Sequence, residues 1–124
     1  MSKVYVTWEQ VEGFVNLLEK TIGREFTGVY GLPRGGLVLA VMISHKYKLP
    51  LLMSPTPNCL IVDDICDTGE SLLHYVKNSS GEEKQNYTIA TMYYKENKLE
   101  IKPNFYQYIK GDNWIVFPWE MEEQ

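Results

Sequence analysis

Apolar residues along this chain change their spacing several times, and each change marks a predicted element. Val4 to Val6 read as a short strand. Thr7 follows as a helix N-cap, with Gln10 placed to complete a capping box. Val11, Phe14, Val15, Leu18 and Ile22 recur at helical spacing, which predicts an amphipathic helix of about fifteen residues ending near Gly23. Phe26 to Leu32 read as the first central strand, Leu37 to Tyr47 as a mostly buried helix with Val38, Val41 and Met42 among its apolar positions, and Pro50 to Ser54 as a second strand. Cys59 to Val62 are apolar without alternation, the pattern of a strand buried on both faces. A helix is predicted from about Glu70 to Lys77, broken by Asn78 to Gly81. Tyr87 to Tyr94, Phe105 to Ile109 and Trp114 to Phe117 predict three more strands. Lys95 to Lys102 read as a polar loop, and Met121 to Gln124 as a frayed tail.

Strands that alternate with helices favour an α/β fold: a mainly parallel sheet of about four or five strands, helices on both faces and a small C-terminal cap. A length of 124 residues, 44% of them hydrophobic, fits one domain over residues 1–124. The net charge of −4 argues against a nucleic-acid partner, which needs clustered Lys and Arg. No segment approaches a membrane span, and no apolar signal region follows Met1-Ser2-Lys3, so a soluble, cytoplasmic protein without a membrane partner is expected. Cys59 and Cys66 match no zinc spacing and no disulfide is expected. Cys59 reads as a small buried hydrophobe, and Cys66 as a thiol whose oxidation would disturb its neighbours.

The chemistry concentrates after the third strand, in Asp63-Asp64-Ile65-Cys66-Asp67-Thr68-Gly69-Glu70-Ser71. Asp63 and Asp64 fall at a strand's carboxyl end, where open α/β sheets bind ligands. Asp67 to Ser71 can wrap an anion. Gly69 permits close backbone approach, and the following amides open a helix whose positive end favours phosphate. A phosphate cradle beside paired acids suits a phosphorylated sugar. Gly31-Leu32-Pro33-Arg34-Gly35-Gly36 also follows a strand and opens a helix. Its amides and the Arg34 fork suit a polyphosphate, although an ordinary glycine-rich turn reads the same way.

The segment from Cys59 to Ser71 closely resembles the phosphoribosyl-pyrophosphate (PRPP) signature of the type I phosphoribosyltransferases. That resemblance implies their fold and PRPP-dependent transfer. It implies that Asp63 and Asp64 contact the ribose hydroxyls, directly or through Mg2+. It also implies that Thr68, Gly69, Glu70 and Ser71 hold the 5′-phosphate and that Asp67 exchanges a proton with the base. Arg34, Gly35 and Gly36 correspond to the pyrophosphate loop, and the peptide that is cis in the family corresponds to Pro33–Arg34.

Met92-Tyr93-Tyr94-Lys95, Trp114-Ile115-Val116-Phe117-Pro118-Trp119-Glu120 and Tyr5-Val6-Thr7-Trp8-Glu9 resemble the 6-oxopurine branch, especially its xanthine–guanine members. The resemblance implies that Lys95 donates to the purine O6, Trp114 stacks on the base and the Ile115 backbone reads the ring edge. Glu120 stands where an Asp more usually helps to hold magnesium. On composition alone Lys95 is equally a solvated charge, and Trp114 and Trp119 are equally core or interface residues. A homodimer is expected, although edge-strand packing explains Tyr93, Tyr94, Tyr106 and Tyr108 equally well.

One family feature is missing. A long loop between the second and third central strands usually closes over the reacting centre. Here only Met53 to Asn58, with two prolines, stand there. Ser71 also replaces the commoner Thr. The resemblance therefore implies a phosphoribosyltransferase acting on a 6-oxopurine, or else a PRPP- or nucleotide-binding module that has lost the chemistry.

Overall fold

The computed structural model describes residues 2–20, 26–77 and 86–120. The elements run β1 (Lys3–Tyr5), α1 (Trp8–Leu17), β2 (Val29–Gly31), α2 (Gly35–Tyr47), β3 (Leu60–Cys66), α3 (Glu70–Lys77), β4 (Thr88–Tyr94), β5 (Phe105–Ile109) and β6 (Trp114–Val116). Four strands form one parallel sheet in the order β2-β3-β4-β5, and β1 pairs with β6, also in parallel, as a separate two-stranded ribbon. The expected α/β architecture and C-terminal cap are present. The cap borrows its partner strand from the amino end of the chain.

Local chemistry explains the elements. Thr7 caps α1: its hydroxyl accepts from Gln10 N–H, and the Gln10 side chain accepts from Thr7 N–H at 2.9 Å. Val11, Phe14, Val15 and Leu18 are buried on one stripe of that helix and the short 3-10 turn (Leu18–Lys20) after it. The predicted end of the helix at Ile22 and Gly23, the break at Asn78 to Gly81 and the Met121 to Gln124 tail lie outside the described residues. In β3, Leu60 and Val62 join a core with α1 and α2, while Ile61 joins a second core with Leu72 of α3 and Ile101. Helices therefore cover both faces, and β3 is buried on each, as its unbroken apolar run predicts.

Several predicted elements change. α2 begins two residues before Leu37 and buries Gly36, Leu39, Ala40 and Ile43, leaving Val41 exposed and Val38 and Met42 half-buried. The helix is apolar nearly all round, so its spacing could not single out the buried face. The first central strand is only Val29–Gly31, and β1 and β6 are one residue off their predicted ends. Pro50 to Ser54 form no strand; a single bridge joins Leu51 to Val29. β3 runs on past Val62 through Cys66, because β4 continues to pair with it after β2 has ended at Gly31. Asp63 and Asp64 therefore sit inside β3, just beyond the end of its β2 neighbour.

The connection from Leu51 to Leu60 also shows where a lid would have to stand. It turns back at once. Thr27 N–H donates to Asn58 O at 3.1 Å, and the Thr27 hydroxyl lies 2.9 Å from Thr56 Oγ1 and 3.0 Å from Pro57 O. Thr27 precedes β2, so these bonds tie the link to the amino edge of the sheet, opposite the carboxyl edge that carries the acids. The sequence reading of a shortened loop holds.

Candidate active site

At the carboxyl edge, four chain segments enclose a cavity of about 720 Å3. Pro33, Arg34, Gly35 and Val38 come from the start of α2; Asp63, Asp64 and Ile65 from β3; Ser71 from α3; and Trp119 and Glu120 from the segment after β6. Residues distant in sequence, singled out for polyphosphate, ribose and metal roles, therefore meet in one space.

The α2 end is open to an anion. No side chain caps it, and the Gly35 and Gly36 amides belong to the first helical turn, which has no intrahelical acceptors. The Pro33–Arg34 peptide is cis, the bond implied by the resemblance. Gly35 packs against Asp64 so closely that a methyl group there would collide with the carboxylate. The loop before α2 and the acid pair are thus one packed unit.

Asp63 is 8% exposed. Burial, and then the charge of Asp64, push its carboxyl up to about 8. Asp63 Oδ1 accepts from Asp64 N–H at 2.9 Å, and Asp64 Oδ1 accepts from Ile65 N–H at 2.8 Å. Paired acids held against like charge suit a hard cation, and carboxylate oxygens are the donors magnesium prefers. Among the described residues no group of three acidic, His or Cys side chains forms a preformed metal cage. Glu120 lines the same cavity but does not complete such a cage with Asp63 and Asp64, and its Oε1 accepts from Phe117 N–H at 2.7 Å. By donor chemistry the pair fits magnesium only as a partial ligand set.

The loop after β3 forms its own small pocket of about 100 Å3, lined by Ile65 to Gly69, Ser71 and Leu72. Gly69 has φ of 84°, a left-handed conformation that favours glycine. Thr68 Oγ1 accepts from Glu70 N–H at 3.3 Å, so that amide is already engaged by its own loop. Cys66 is buried. Desolvation, with Asp63 and Asp67 nearby, pushes its thiol up to about 11. A buried thiol so reluctant to ionise is a poor target for oxidation.

The residues assigned to the base lie apart from the large cavity. Lys95, Trp114 and Ile115 do not line it. Lys95 Nζ pairs with Asp112 Oδ1 at 3.3 Å. Trp114 is 61% exposed. Trp114 and Val116 supply the ladder bonds of β6, with Trp114 N–H donating to Ser2 O and Val116 O accepting from Val6 N–H. Alternation along a parallel strand then turns the Ile115 N–H and C=O away from β1. Sequence reasoning did not single out Trp119 or Lys110 for the site. Trp119 lines the cavity and stacks on Phe117 with centroids 4.8 Å apart and planes 8° apart. Lys110 Nζ lies 3.4 Å from Asp67 Oδ2.

No protein-family model matches the chain. A xanthine-guanine phosphoribosyltransferase of Idiomarina loihiensis is 23% identical over 144 residues, covering 94% of this chain and 86% of that protein. Another of that name, from Nitratidesulfovibrio vulgaris, is 26% identical over 144 residues, covering 96% and 85%. Both alignments are longer than the chain itself, so these relatives carry residues with no counterpart here. Among solved structures, a purine phosphoribosyltransferase from Pyrococcus horikoshii matches with a TM-score of 0.82 at 29% identity, covering 100% of this chain and 98% of that one. Those two chains are therefore nearly equal in length. In sequence and in fold the chain is thus similar to purine phosphoribosyltransferases of type I.

Proposed function

We propose that this enzyme transfers the phosphoribosyl group of PRPP to a 6-oxopurine, giving a purine nucleoside monophosphate and pyrophosphate. The observation that carries the proposal is the meeting of Arg34, Gly35, Asp63, Asp64 and Ser71 around one cavity, next to the Thr68 to Ser71 cradle. The 5′-phosphate sits in that cradle, which fixes the ribose with its hydroxyls toward Asp63 and Asp64. Asp63 and Asp64, with Glu120 near, would hold magnesium, which when bound would supply positive charge against the phosphate charge of the substrate. Arg34 and the Gly35 and Gly36 amides stabilise the charge that develops as the bond from ribose C1 to the pyrophosphate oxygen breaks. A purine nitrogen forms the new bond to C1, and Asp67 takes the proton that this nitrogen releases.

Base choice follows from donor chemistry. The Lys95 ammonium only donates, so it accepts a 6-oxo group as partner and opposes the 6-amino group of adenine. Trp114 adds stacking without choosing the base. A homodimer and a cytoplasmic setting belong to the same proposal, and sedimentation velocity measures the first.

The short link at Met53 to Asn58 is the one observation that favours a binding module without chemistry. The nearly equal length of the Pyrococcus horikoshii protein, which bears a transferase name, weighs against that reading. Pyrophosphate release from PRPP, magnesium and guanine separates the two. The wild-type chain releases it only when base is present. Asp67→Asn lowers the single-turnover rate about 100-fold or more, while calorimetry shows guanosine monophosphate affinity within about threefold of wild type. Nucleotide binding by the wild type with no pyrophosphate release would overturn the proposal.

A further inference from the structure

Three adjacent parallel strands end in one row. Cys66 pairs with Tyr94, and Tyr94 with Ile109. The next residue on each strand is charged: Asp67, Lys95 and Lys110. The sheet continues into that row, since Lys95 N–H donates to Cys66 O and Lys110 N–H donates to Tyr94 O, both at 2.8 Å. The two lysines take different acids. Lys95 pairs with Asp112, whose side chain is almost fully exposed. Lys110 reaches back along the row to Asp67 Oδ2 at 3.4 Å.

The Lys110 side chain is only 11% exposed. A lysine so covered is costly unless its ammonium has partners, because charge loses its water on burial. Among the described residues its Nζ has two oxygen neighbours: the Asp67 carboxylate and the Gly111 carbonyl at 3.3 Å. Asp67, by contrast, is about half exposed and stands on a bend outside regular structure, so its own loop does little to fix its rotamer.

We propose that Lys110 is a positioning residue for the reaction: it holds the Asp67 carboxylate at the orientation from which it takes the purine proton. This rests on the role of Asp67 given above. Lys110 acts through Asp67, so its effect falls on the chemical step and not on PRPP binding, and it vanishes when Asp67 can no longer accept a proton.

A double-mutant cycle on single-turnover rates tests this. Lys110→Met keeps the length of the buried stem and removes the charge. It lowers the rate about tenfold to a hundredfold, with the KM for PRPP within about twofold of wild type. Lys110→Arg restores most of the loss. In the Asp67→Asn background, Lys110→Met changes the rate less than about twofold, as expected of two residues acting as one unit. If Lys110→Met does not fold, Lys110→Gln carries the same expectations. An unchanged or faster rate in Lys110→Met, a loss confined to KM, or full additivity in the cycle overturns the inference while leaving the transferase reading in place. No product from the wild-type chain overturns that reading, and this inference with it.

Discussion

Around Asp63 and Arg34 the carboxyl edge of the sheet encloses a cavity of about 720 Å3, whereas Lys95 is engaged with Asp112, and Trp114, at the start of β6, is 61% exposed. The first region is built from backbone. Short loops join β2 to α2 and β3 to α3, and Gly35 packs directly on Asp64, so this end is set by the fold. The second region is built from side chains at strand ends. For Lys95 to reach a purine oxygen it exchanges Asp112 for the base, a change of partner that costs little because exposed ion pairs are worth under about 1 kcal/mol. On the proposed function, the difference teaches that the sugar-phosphate side would be preformed and base recognition left to adjustable groups.

The largest effect should come from breaking the preformed side. In Gly35→Ala the added methyl collides with the Asp64 carboxylate and displaces the acid or the loop. A shift of about 1 Å costs about 100-fold in kcat/KM for PRPP, read by steady-state kinetics. A change under threefold would show that the loop and the acid pair are not one packed unit. On the adjustable side, Lys95→Ala should weaken 6-oxopurine binding by about 10-fold and leave adenine unaffected, measured by competition. Equal losses for both bases would remove the assignment of Lys95 to O6.

The acid pair has a pH signature. Burial pushes Asp63 up to about 8, against an ordinary value of 3.8. Between those values the folded chain holds a proton that the unfolded chain has lost, so stability falls as pH rises from about 4 toward 8. With divalent cations chelated, Asp63→Asn should raise Tm by about 4 °C at pH 8, with the gain shrinking as pH falls toward 4. A Tm gap that does not change with pH would contradict the burial of charge described for β3. A last prediction concerns Cys66, whose thiol burial pushes up to about 11. At pH 8 iodoacetamide should label it about a hundredfold more slowly than glutathione, as followed by mass spectrometry. Rapid labelling would show that the phosphate loop opens.

The legible parts of the chain are those fixed by local rules. The capping box at Thr7 and Gln10, α3 over Glu70–Lys77 and β5 over Phe105–Ile109 stand where the sequence places them. The phosphate cradle was legible for the same reason, since a glycine-bearing turn between a buried strand and a helix specifies itself. Other features depend on tertiary pairing. The length of β3 is set by how far β4 runs beside it, which no property of Asp63-Asp64-Ile65-Cys66 reveals. Pro50 to Ser54 have strand composition but only one bridging neighbour. Lys110 became visible only once the register of β3, β4 and β5 had placed it in the row of Asp67 and Lys95.

The central claim is tested most directly by incubating the purified chain with PRPP, magnesium and guanine, hypoxanthine, xanthine or adenine in turn, and separating the products by chromatography. The account predicts nucleoside monophosphate from at least one 6-oxopurine and little or none from adenine. Nucleotide from adenine at a comparable rate would contradict the base-recognition half of the account. No nucleotide from any base, despite measurable PRPP binding, would contradict the transferase itself.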